Sequence, residues 1–347
     1  MHTHTCNCTS SPAAGVPDGA YLSEYSPRDA VWDVHRSEAQ AVEAIYASVD
    51  EFERYAQRIR KCSGFLRFAW VVDTDTGELT LRLREAEFCR VRHCPVCQWR
   101  RSLMWLARFY EALPRLELDY PAVRWLFLTL TVRNCDVRDL RATLRSMNQS
   151  WHRFVKLREF RQVLGWVRTT EVTRGIHSTA HPHFHCLLMV PPGYFKGGSY
   201  ITQSRWVQLW RQAARLDYDP VVDVRVVKCK GLPVGSSSHH LALRHAAAET
   251  LKYAVKPSDM VADPDWFLEL TRQVHRLRFI ATGGALKDVL REDEETNEDL
   301  ILADDPSPGV QDLSRVAFRW RRVESRYRRY PKGDMYHTCD MPLSTCA

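Results

Sequence analysis

The sequence of 347 residues predicts an α+β fold, in which an antiparallel, ferredoxin-like sheet of the split βαβ type carries helices on one face and follows a small zinc-binding module. Two observations predict it. Segments with strand and helix periodicity alternate in the order β-α-β-β-α-β-α over residues 125–255, which is the order of a split βαβ plan. Four cysteines with the spacing of a metal site precede them. The second face of the sheet is expected to be open and able to carry a site.

Changes in composition divide the chain into five segments. Residues 1–37 are rich in small polar residues and proline and have no hydrophobic period, which predicts a flexible tail. The other segments are a helical and zinc-binding module at 38–120, the sheet domain at 121–290, an acidic linker at 291–313 and a basic, aromatic tail at 314–347.

Hydrophobic periodicity predicts each element in turn. In the first module, helical periodicity begins near Glu38, and a second helix at 102–113 is expected to end at Pro114. In the sheet domain we predict strands at 125–132, 165–173, 183–190 and 221–227, and helices at 140–154, 202–216 and 241–255. A further helix is predicted at 266–280, followed by a chain break at Gly283 and Gly284.

Positive charge is concentrated in the middle of the chain. The net charge of the whole chain is +7, but residues 55–290 carry +16, while 1–54 carry −6 and 291–313 carry −8. A globular region this basic is typical of proteins that bind a polyanion such as nucleic acid, because each neutralised phosphate releases counterions. An ordinary solvated surface rich in arginine is the alternative.

The sequence contains neither a membrane span nor a secretory signal. No apolar run reaches the roughly 18 residues of a membrane span, and the first residues lack the basic and apolar regions of a signal peptide. We therefore expect a cytoplasmic protein with no membrane partner. In that reducing environment, clustered thiols hold a metal more often than they form disulfides.

Four of the eleven cysteines are spaced C-x26-C-x4-C-x2-C. They are Cys62, Cys89, Cys94 and Cys97. The knuckle from Cys94 to Cys97 supplies two thiolates from one turn, as a tetrahedral Zn²⁺ site requires. A redox C-x-x-C motif would leave Cys62 and Cys89 unexplained. Replacement of one thiolate by His93 stays open.

Arginines surround this cysteine cluster. They are Arg90, Arg92, Arg100 and Arg101. Their positive charge favours ionised thiols and also offers contacts to phosphates. We expect the module to be stabilised by zinc and to bind DNA through these four side chains.

The segment HPHFH at 181–185 places two histidines on one side of a strand, because side chains alternate along a strand with period two. The preceding strand is expected to pair antiparallel with this one and to bring Glu171 across from His183 and His185. Two imidazoles and a carboxylate with open positions suit a divalent ion such as Mn²⁺ or Mg²⁺. His181 has the same parity and is a further candidate ligand. The alternative is that the histidines are structural or surface residues.

The predicted helix at 241–255 carries a stripe of polar side chains. With 3.6 residues per turn, His245, Glu249 and Tyr253 fall on one side of the helix, with Lys256 close by. A phenol with a pKa near 10 becomes a nucleophile when a cation stabilises the phenolate, which Lys252 or Lys256 and a nearby metal ion can do. The alternative is a tyrosine that packs at the edge of the core.

Three motifs occur together and in order: the strand FLTLTV at 127–132, the HPHFH strand, and E-x-x-K-Y-x-x-K at 249–256. Over residues 62–290 the chain resembles the rolling-circle replication initiators of small bacterial plasmids, which are Rep proteins of the single-tyrosine group of the HUH endonuclease superfamily. The group's C-x4-C-P-x-C-x-W-R-R segment corresponds here to residues 89–101.

The resemblance implies a metal-dependent, site-specific DNA endonuclease and strand transferase, with 121–290 as its HUH endonuclease domain. Tyr253 would attack single-stranded or hairpin DNA at a plasmid origin, giving a 5′-phosphotyrosyl link and a 3′-OH primer. The metal at His183 and His185, with Glu171 as third ligand, would polarise the phosphate. Glu249 would serve termination. Host helicase and polymerase are the further partners that it implies.

Three other functions remain compatible with these motifs. A relaxase or transposase would use the same chemistry, but the zinc segment and the E-x-x-K-Y spacing fit replication initiators better. A zinc-dependent DNA-binding regulator would not cleave DNA, and a metallohydrolase with water as nucleophile would form no covalent adduct. Formation of such an adduct separates the last two from the nickase.

Overall fold

Ten strands in two antiparallel sheets organise the residues that the computed structural model describes, which are 19–72, 77–227, 237–252, 254–287, 289, 295–304 and 312–330. The strands are β1 Phe65–Val72, β2 Leu79–Ala86, β3 Arg124–Thr131, β4 Cys135–Asp136, β5 Gly165–Arg174, β6 Thr179–Val190, β7 Val222–Val226, β8 Ile280–Gly284, β9 Ser314–Arg321 and β10 Arg326–Tyr330. The helices are α1 Leu22–Tyr25, α2 Val31–Tyr46, α3 Glu53–Lys61, α4 Pro95–Asp119, α5 Leu140–Phe154, α6 Gln203–Ala214, α7 Ser237–Thr250, α8 Pro257–Ala262, α9 Pro264–Gln273 and α10 Asn297–Ile301. No helix in these ranges is long and apolar enough to cross a membrane.

The larger sheet, here called the central sheet, has the strand order β7-β3-β6-β5-β8, with the short β4 also paired to β6. Each neighbouring pair is antiparallel. Read across the sheet as β7, β3, β6 and β5, these four strands are the fourth, first, third and second of the set in chain order. This order makes β6 an inner strand flanked by β3 and β5.

One face of the central sheet packs against α5 and α6. The ring of Phe184 lies 6.1 Å from the ring of Trp151 in α5 and 6.1 Å from that of Trp210 in α6. Phe184 is fully buried. Since side chains alternate along β6, His183 and His185 lie on the opposite face, as predicted.

That opposite face was expected to be open, and this expectation is wrong in part. Trp125 and Met189 are register partners at one end of it, both are buried, and Trp125 packs against Phe109 of α4. At the other end, the Thr169 hydroxyl donates to the carbonyl of Thr250 at the end of α7, at 2.5 Å. The face carries large apolar side chains beside the histidines, and burying them requires helices on this side too.

The smaller sheet, of order β10-β9-β1-β2, joins the two ends of the described chain. Residues 22–37, predicted as part of a flexible tail, instead form α1 and the start of α2, whose Leu22 and Trp32 are buried. Residues 314–330, predicted as a basic tail, form β9 and β10. Their arginines alternate with buried residues such as Phe318, which is the pattern of a half-buried strand.

Several element boundaries also differ from the predictions. α5 has the predicted bounds, whereas α4 begins at Pro95 and continues through Pro114 to Asp119, because Leu116 beyond the proline is buried. The strands β1 and β2 were not predicted. α7 ends at Thr250, five residues earlier than expected.

The predicted helix at 266–280 ends at Gln273, and the expected chain break is the strand β8. A Cβ on Gly283 would come within 2.5 Å of the Trp166 ring, and Gly284 has φ +60°. Both glycines therefore allow β8 to lie close to β5 rather than ending the structure.

Candidate functional site

The polar end of the central sheet brings three predicted ligands together, here called the histidine site. Glu171 and His183 are register partners on β5 and β6, and His185 lies two residues further along the same face. Glu171 Oε2 lies 3.2 Å from His183 Nε2 and 2.8 Å from His185 Nε2. All three residues are buried, and their ligand atoms lie within 4.8 Å of one another.

The Nδ1 atom of each imidazole is held by a contact with a strand, the neighbouring β3 for His185 and β6 itself for His183. His185 Nδ1 lies 3.2 Å from the hydroxyl of Thr129, its register partner on β3. His183 Nδ1 lies 3.2 Å from the carbonyl of His181. The Phe127 ring is stacked on His185 at 5.5 Å. Contacts of this kind orient the inner nitrogens, as they do in metal sites.

A lysine completes the polar cluster. Lys252 Nζ lies 3.3 Å from Glu171 Oε2 and 2.5 Å from Glu249 Oε1. Burial opposes the ionisation of Glu171, but hydrogen bonds from His183 and His185, together with the charge of Lys252, bring its pKa far below the ordinary value. Burial likewise disfavours the charged form of Lys252, yet its contacts with Glu249 and Glu171 raise its pKa. The site therefore holds a carboxylate and an ammonium side by side.

The donor set of the histidine site fits a divalent ion. Two imidazole nitrogens and one carboxylate oxygen are close enough to share one ion, and they leave positions open for substrate oxygens. The neighbouring His181 ring lies 5.2 Å from that of His183 and is not part of this group of ligand atoms. Burial lowers the pKa of His181, and the charge of His183 lowers it further.

The residues of the predicted tyrosine stripe do not all lie on one helix. Glu249 lies in the last turn of α7, exposed, and pairs with Lys252 just beyond the helix. Lys256 is exposed and occupies the N-cap position of α8, so a single helix does not carry the whole stripe. Tyr253 lies outside the described residues. Both of its sequence neighbours touch the central sheet region: Lys252 contacts Glu171, and the carbonyl of Ala254 accepts from the Val172 amide at 2.9 Å.

The four predicted cysteines form one buried cluster between α3 and α4. Cys97 Sγ lies 3.6 Å from the sulfurs of Cys62 and Cys89, and Cys94 Sγ lies 3.7 Å from that of Cys62. A tetrahedral Zn²⁺ with Zn–S bonds of about 2.3 Å requires sulfurs about 3.8 Å apart. The thiols of the other three cysteines and burial raise the pKa of Cys62. A divalent cation would offset this penalty and hold the thiolates together.

His93 stands beside the cysteine cluster and does not belong to it. The four thiols are grouped without it, and its ring packs edge-on against Phe267 at 5.7 Å. Neither ring nitrogen has a hydrogen-bond partner within the part of the chain that the structure describes. Burial, with the charges of Arg92 and Arg101, lowers the pKa of His93 to about 3. The imidazole is therefore neutral, and the geometry favours four thiolates over a set that includes His93.

One of the four arginines predicted to contact DNA is structural. Arg100 is fully buried, and its guanidinium donates to the carbonyls of Leu300 and Ile301 at 2.7 and 3.0 Å, at the end of α10. It also stacks on Trp32. The prediction for Arg100 is wrong, because the sequence does not show which side of α4 faces the core. The other three, Arg90, Arg92 and Arg101, line a cavity.

Sequence reasoning missed two residues of the site. Thr129 shares the period-two face of β3 with Phe127, so the strand pattern alone places it across from His185 once the sheet order is known. Glu295 pairs with Arg101 at 2.6 Å from a segment that we predicted only as part of an acidic linker. No local pattern indicates that pairing.

Comparison with known proteins gives a consistent result. Residues 80–328 match the family described as "Replication protein". The chain is 31% identical over 297 residues to "Protein rep" of Streptococcus pneumoniae serotype 2 (strain D39 / NCTC 7466), covering 83% of this chain and 88% of that protein. It is 33% identical over 294 residues to "Protein rep" of Lentilactobacillus hilgardii, covering 82% and 90% of the two chains. It is 34% identical over 219 residues to a "Replication protein" of Staphylococcus aureus, covering 60% and 91%. No solved structure matches the chain.

Proposed function

Because the chain belongs to this family of plasmid replication proteins, we propose that it initiates rolling-circle replication by nicking one strand of origin DNA through Tyr253. The observation that carries the proposal is the histidine site, where Glu171, His183 and His185 point their ligand atoms at one position beside Lys252. A structural protein or a simple DNA-binding module has no need for such a cluster. The strand order of the central sheet is that of a split βαβ plan, which supports the HUH fold.

Glu171, His183 and His185 would hold Mn²⁺ or Mg²⁺, and Cys62, Cys89, Cys94 and Cys97 would hold a structural Zn²⁺. The catalytic ion supplies charge that polarises the scissile phosphate. Thr129 and the carbonyl of His181 keep the two imidazoles aimed at that position.

The phenol oxygen of Tyr253, after losing its proton, attacks the phosphorus atom. The P–O3′ bond breaks as the Tyr–O–P bond forms, so the products are a 5′-phosphotyrosyl link and a 3′-hydroxyl that takes up a proton. The 3′-hydroxyl then primes the host polymerase. Lys252 stabilises the phenolate and the developing negative charge, since it precedes Tyr253 in the chain and its ammonium already lies at the histidine site.

Glu249 has a separate role in this scheme. Its carboxylate is exposed and lies on α7, held toward the site by Lys252. Such a group can activate water or a second hydroxyl when the copied strand is to be released. In this scheme Glu249 acts in termination, whereas Glu171 acts as a ligand of the metal ion.

The test is a covalent adduct. The full chain is incubated with Mn²⁺ and a single-stranded oligonucleotide that carries the nick site of the replicon, and the products are separated on a denaturing gel. We expect a protein band shifted by the attached DNA, and no such band with Tyr253→Phe, in which the ring is kept and only the hydroxyl is lost. Circular dichroism and DNA binding of the variant control for folding. An adduct at the parental rate in Tyr253→Phe rules out this nucleophile.

The same gel separates the other candidate functions. A non-catalytic regulator leaves the oligonucleotide intact, and a metallohydrolase that uses water cleaves it without an adduct. A relaxase or transposase would also form an adduct, but membership in the replication family favours initiation. Host helicase and polymerase are then the expected partners at the origin.

A further inference from the structure

A cavity of about 410 Å³ opens between residues 90–105, here called the cysteine module, and the central sheet. Its lining comes from five parts of the chain: the cysteine module with Arg90, Arg92 and Arg101, the strand β5 with Thr169 and Thr170, the segment after α7 with Lys252, residues 276–280 at the start of β8, and Glu295 before α10. The volume lies within the range of about 300–1,000 Å³ typical of ligand sites. We call it the arginine cavity.

The lining is strongly basic. Among the described residues it includes six cationic side chains against one carboxylate, that of Glu295; the cations are Arg90, Arg92, Arg101, Lys252, Arg276 and Arg278. Two aromatic rings, Trp105 and Phe279, also line it, and the Arg92 guanidinium lies 4.9 Å from the centre of the Phe279 ring. Both rings are largely buried. Cations that can bind a phosphate, grouped with aromatic side chains, are a feature of sites for single-stranded nucleic acid.

The arginine cavity adjoins the histidine site. Lys252 belongs to both, because it lines the cavity and its Nζ lies 3.3 Å from Glu171 Oε2. Thr169 also lines the cavity, and it is the register partner of His185. A strand with its scissile phosphate at the histidine site therefore has the cavity within reach of a neighbouring nucleotide.

The carboxylate of Glu295 occupies a place that a phosphate could take. Arg101 Nε donates to Glu295 Oε2 at 2.6 Å and its terminal nitrogen donates to Oε1 at 3.0 Å, which is the forked geometry in which arginine also binds phosphate. Arg90 donates to the backbone carbonyl of Glu295 at 2.8 Å. Burial disfavours the charged form of Arg101, but the bond to Glu295 raises its pKa.

We propose that the arginine cavity binds one nucleotide of single-stranded DNA adjacent to the scissile phosphate, and that Glu295 occupies its phosphate position until DNA displaces it. The proposal rests on the proposed function for the location of the scissile phosphate. The occupant is single-stranded DNA because the cavity admits one nucleotide beside a site that cleaves such a strand, and because its cations match a phosphate.

The experiment measures affinity for the single-stranded origin oligonucleotide by fluorescence anisotropy over a range of salt concentrations, without added Mn²⁺ or Mg²⁺. Glu295→Gln should bind roughly 2- to 5-fold more tightly, since it removes a competing carboxylate. Arg101→Gln should bind more weakly, and its salt slope should be smaller by about 0.7, the contribution of one neutralised phosphate on a single strand. In the double variant, Glu295→Gln should add nothing, because its partner is already absent.

A second ion pair supplies the matched control. Arg211 of α6 pairs with Asp219 at 3.0 Å, and α6 lies on the other face of the central sheet. Arg211→Gln and Asp219→Asn should leave affinity and salt slope within error of the parent chain. If Arg101→Gln unfolds, Arg101→Lys replaces it: the salt slope is then kept, while the gain from Glu295→Gln shrinks because the forked contact is lost.

Two results would overturn the proposal: an unchanged salt slope in Arg101→Gln, or an equal gain from Glu295→Gln with and without Arg101. The adduct gel reports on the proposed function separately. If the parent chain forms adducts but the salt slope of Arg101→Gln is unchanged, the proposed nickase function is supported and the nucleotide site is contradicted. If the salt slope changes but no adduct forms, the DNA site at the cavity is supported and the nickase function is contradicted.

Discussion

Lys252 Nζ and Glu171 Oε2 lie 3.3 Å apart, so an ammonium of the chain stands next to the carboxylate that would bind the catalytic ion. A bound catalytic ion would share this carboxylate with the lysine. In the proposed reaction, a lysine in this place would favour a phenolate and a developing negative charge, and it would weaken metal binding.

This arrangement predicts opposite effects of Lys252→Gln on metal binding and on the reaction. Removing the ammonium should tighten Mn²⁺ binding, measured by calorimetry, because a like charge is gone. It should slow adduct formation by about 10- to 100-fold, because the phenolate loses its cation. Lys252→Arg keeps the charge, so its Mn²⁺ affinity and its rate of adduct formation should lie between those of the parent chain and Lys252→Gln. Weaker Mn²⁺ binding in Lys252→Gln would contradict this role.

Thr129 should matter for the metal although it is not a ligand. Its hydroxyl lies 3.2 Å from His185 Nδ1, and loss of such an outer contact typically costs about 10- to 100-fold in metal affinity. Thr129→Val should therefore weaken Mn²⁺ binding within that range, and His185→Ala should abolish it. Thr131→Val, on the same strand with its hydroxyl bonded to the Val221 carbonyl instead, is the control. If the two threonine variants weaken Mn²⁺ binding equally, the cause is a general disturbance of β3 and not the loss of the contact with the imidazole.

The cysteine cluster and the histidine site should bind metal independently. Cys94→Ser removes one of four thiolates and should lower both zinc content and the midpoint of thermal unfolding, because zinc binding is coupled to folding. Cys135→Ser, outside the cluster, should keep the zinc. His183→Ala should keep one zinc per chain while losing Mn²⁺-dependent cleavage. Elemental analysis of the three variants decides the point, and zinc loss in His183→Ala would indicate a shared site.

Glu43 should make stability depend on pH. Its buried carboxylate accepts from Arg60 at 2.8 Å and from Arg322 at 2.6 Å, which joins α2 to α3 and to the turn between β9 and β10. Burial opposes its ionisation, but the two arginines outweigh burial and lower the pKa of Glu43 below its ordinary 4.5. Its stabilising contribution is thus present above about pH 4.5 and is lost as the pH falls through the lowered value.

The corresponding variant is Glu43→Gln, measured by denaturant unfolding at several pH values. At neutral pH we expect the free energy of unfolding to fall by about 1 kcal/mol, which is less than is usual for bonds to charged groups because both arginines are partly exposed. The difference from the parent chain should shrink as the solution becomes acidic. A difference that grows toward low pH has the wrong sign for a carboxylate with a lowered pKa.

Glu249 should separate the first nick from the release of the copied strand. Glu249→Ala removes a carboxylate that contacts Lys252 and not the histidine site itself. Adduct formation should stay within a few-fold of the parent, while a replication extract should accumulate over-length single strands. Loss of the first adduct in a folded variant that still binds Mn²⁺ would instead make Glu249 the base for Tyr253.

The sequence predicts the histidine site well because its determinants are local. Period-two alternation puts His183 and His185 on one face, and the short connection after β5 forces the antiparallel register that brings Glu171 to them. The cysteine cluster was likewise predictable from spacing alone. In both cases the geometry follows from residues that are near in the chain.

The smaller sheet was not predictable in the same way. β1 pairs with β9, where Phe65 lies opposite Arg319, and nothing in either segment specifies so distant a partner. The helix after Leu241 was predicted to reach Val255, but contacts with β5 end it at Thr250. Burial of Arg100 is another tertiary effect, since a guanidinium that caps α10 and stacks on Trp32 has the same sequence signature as one that faces solvent.

The pairing of β9 with β1 has a consequence for biosynthesis. A ribosome makes β1 and β2 long before β9, and the whole central sheet is made in between. Until β9 has left the exit tunnel, one edge of β1 has no partner strand and is open to pairing with other chains. The central sheet can form first, as an insertion, and the smaller sheet is completed last. Premature termination before β9 should therefore produce an aggregating chain rather than a shorter functional protein.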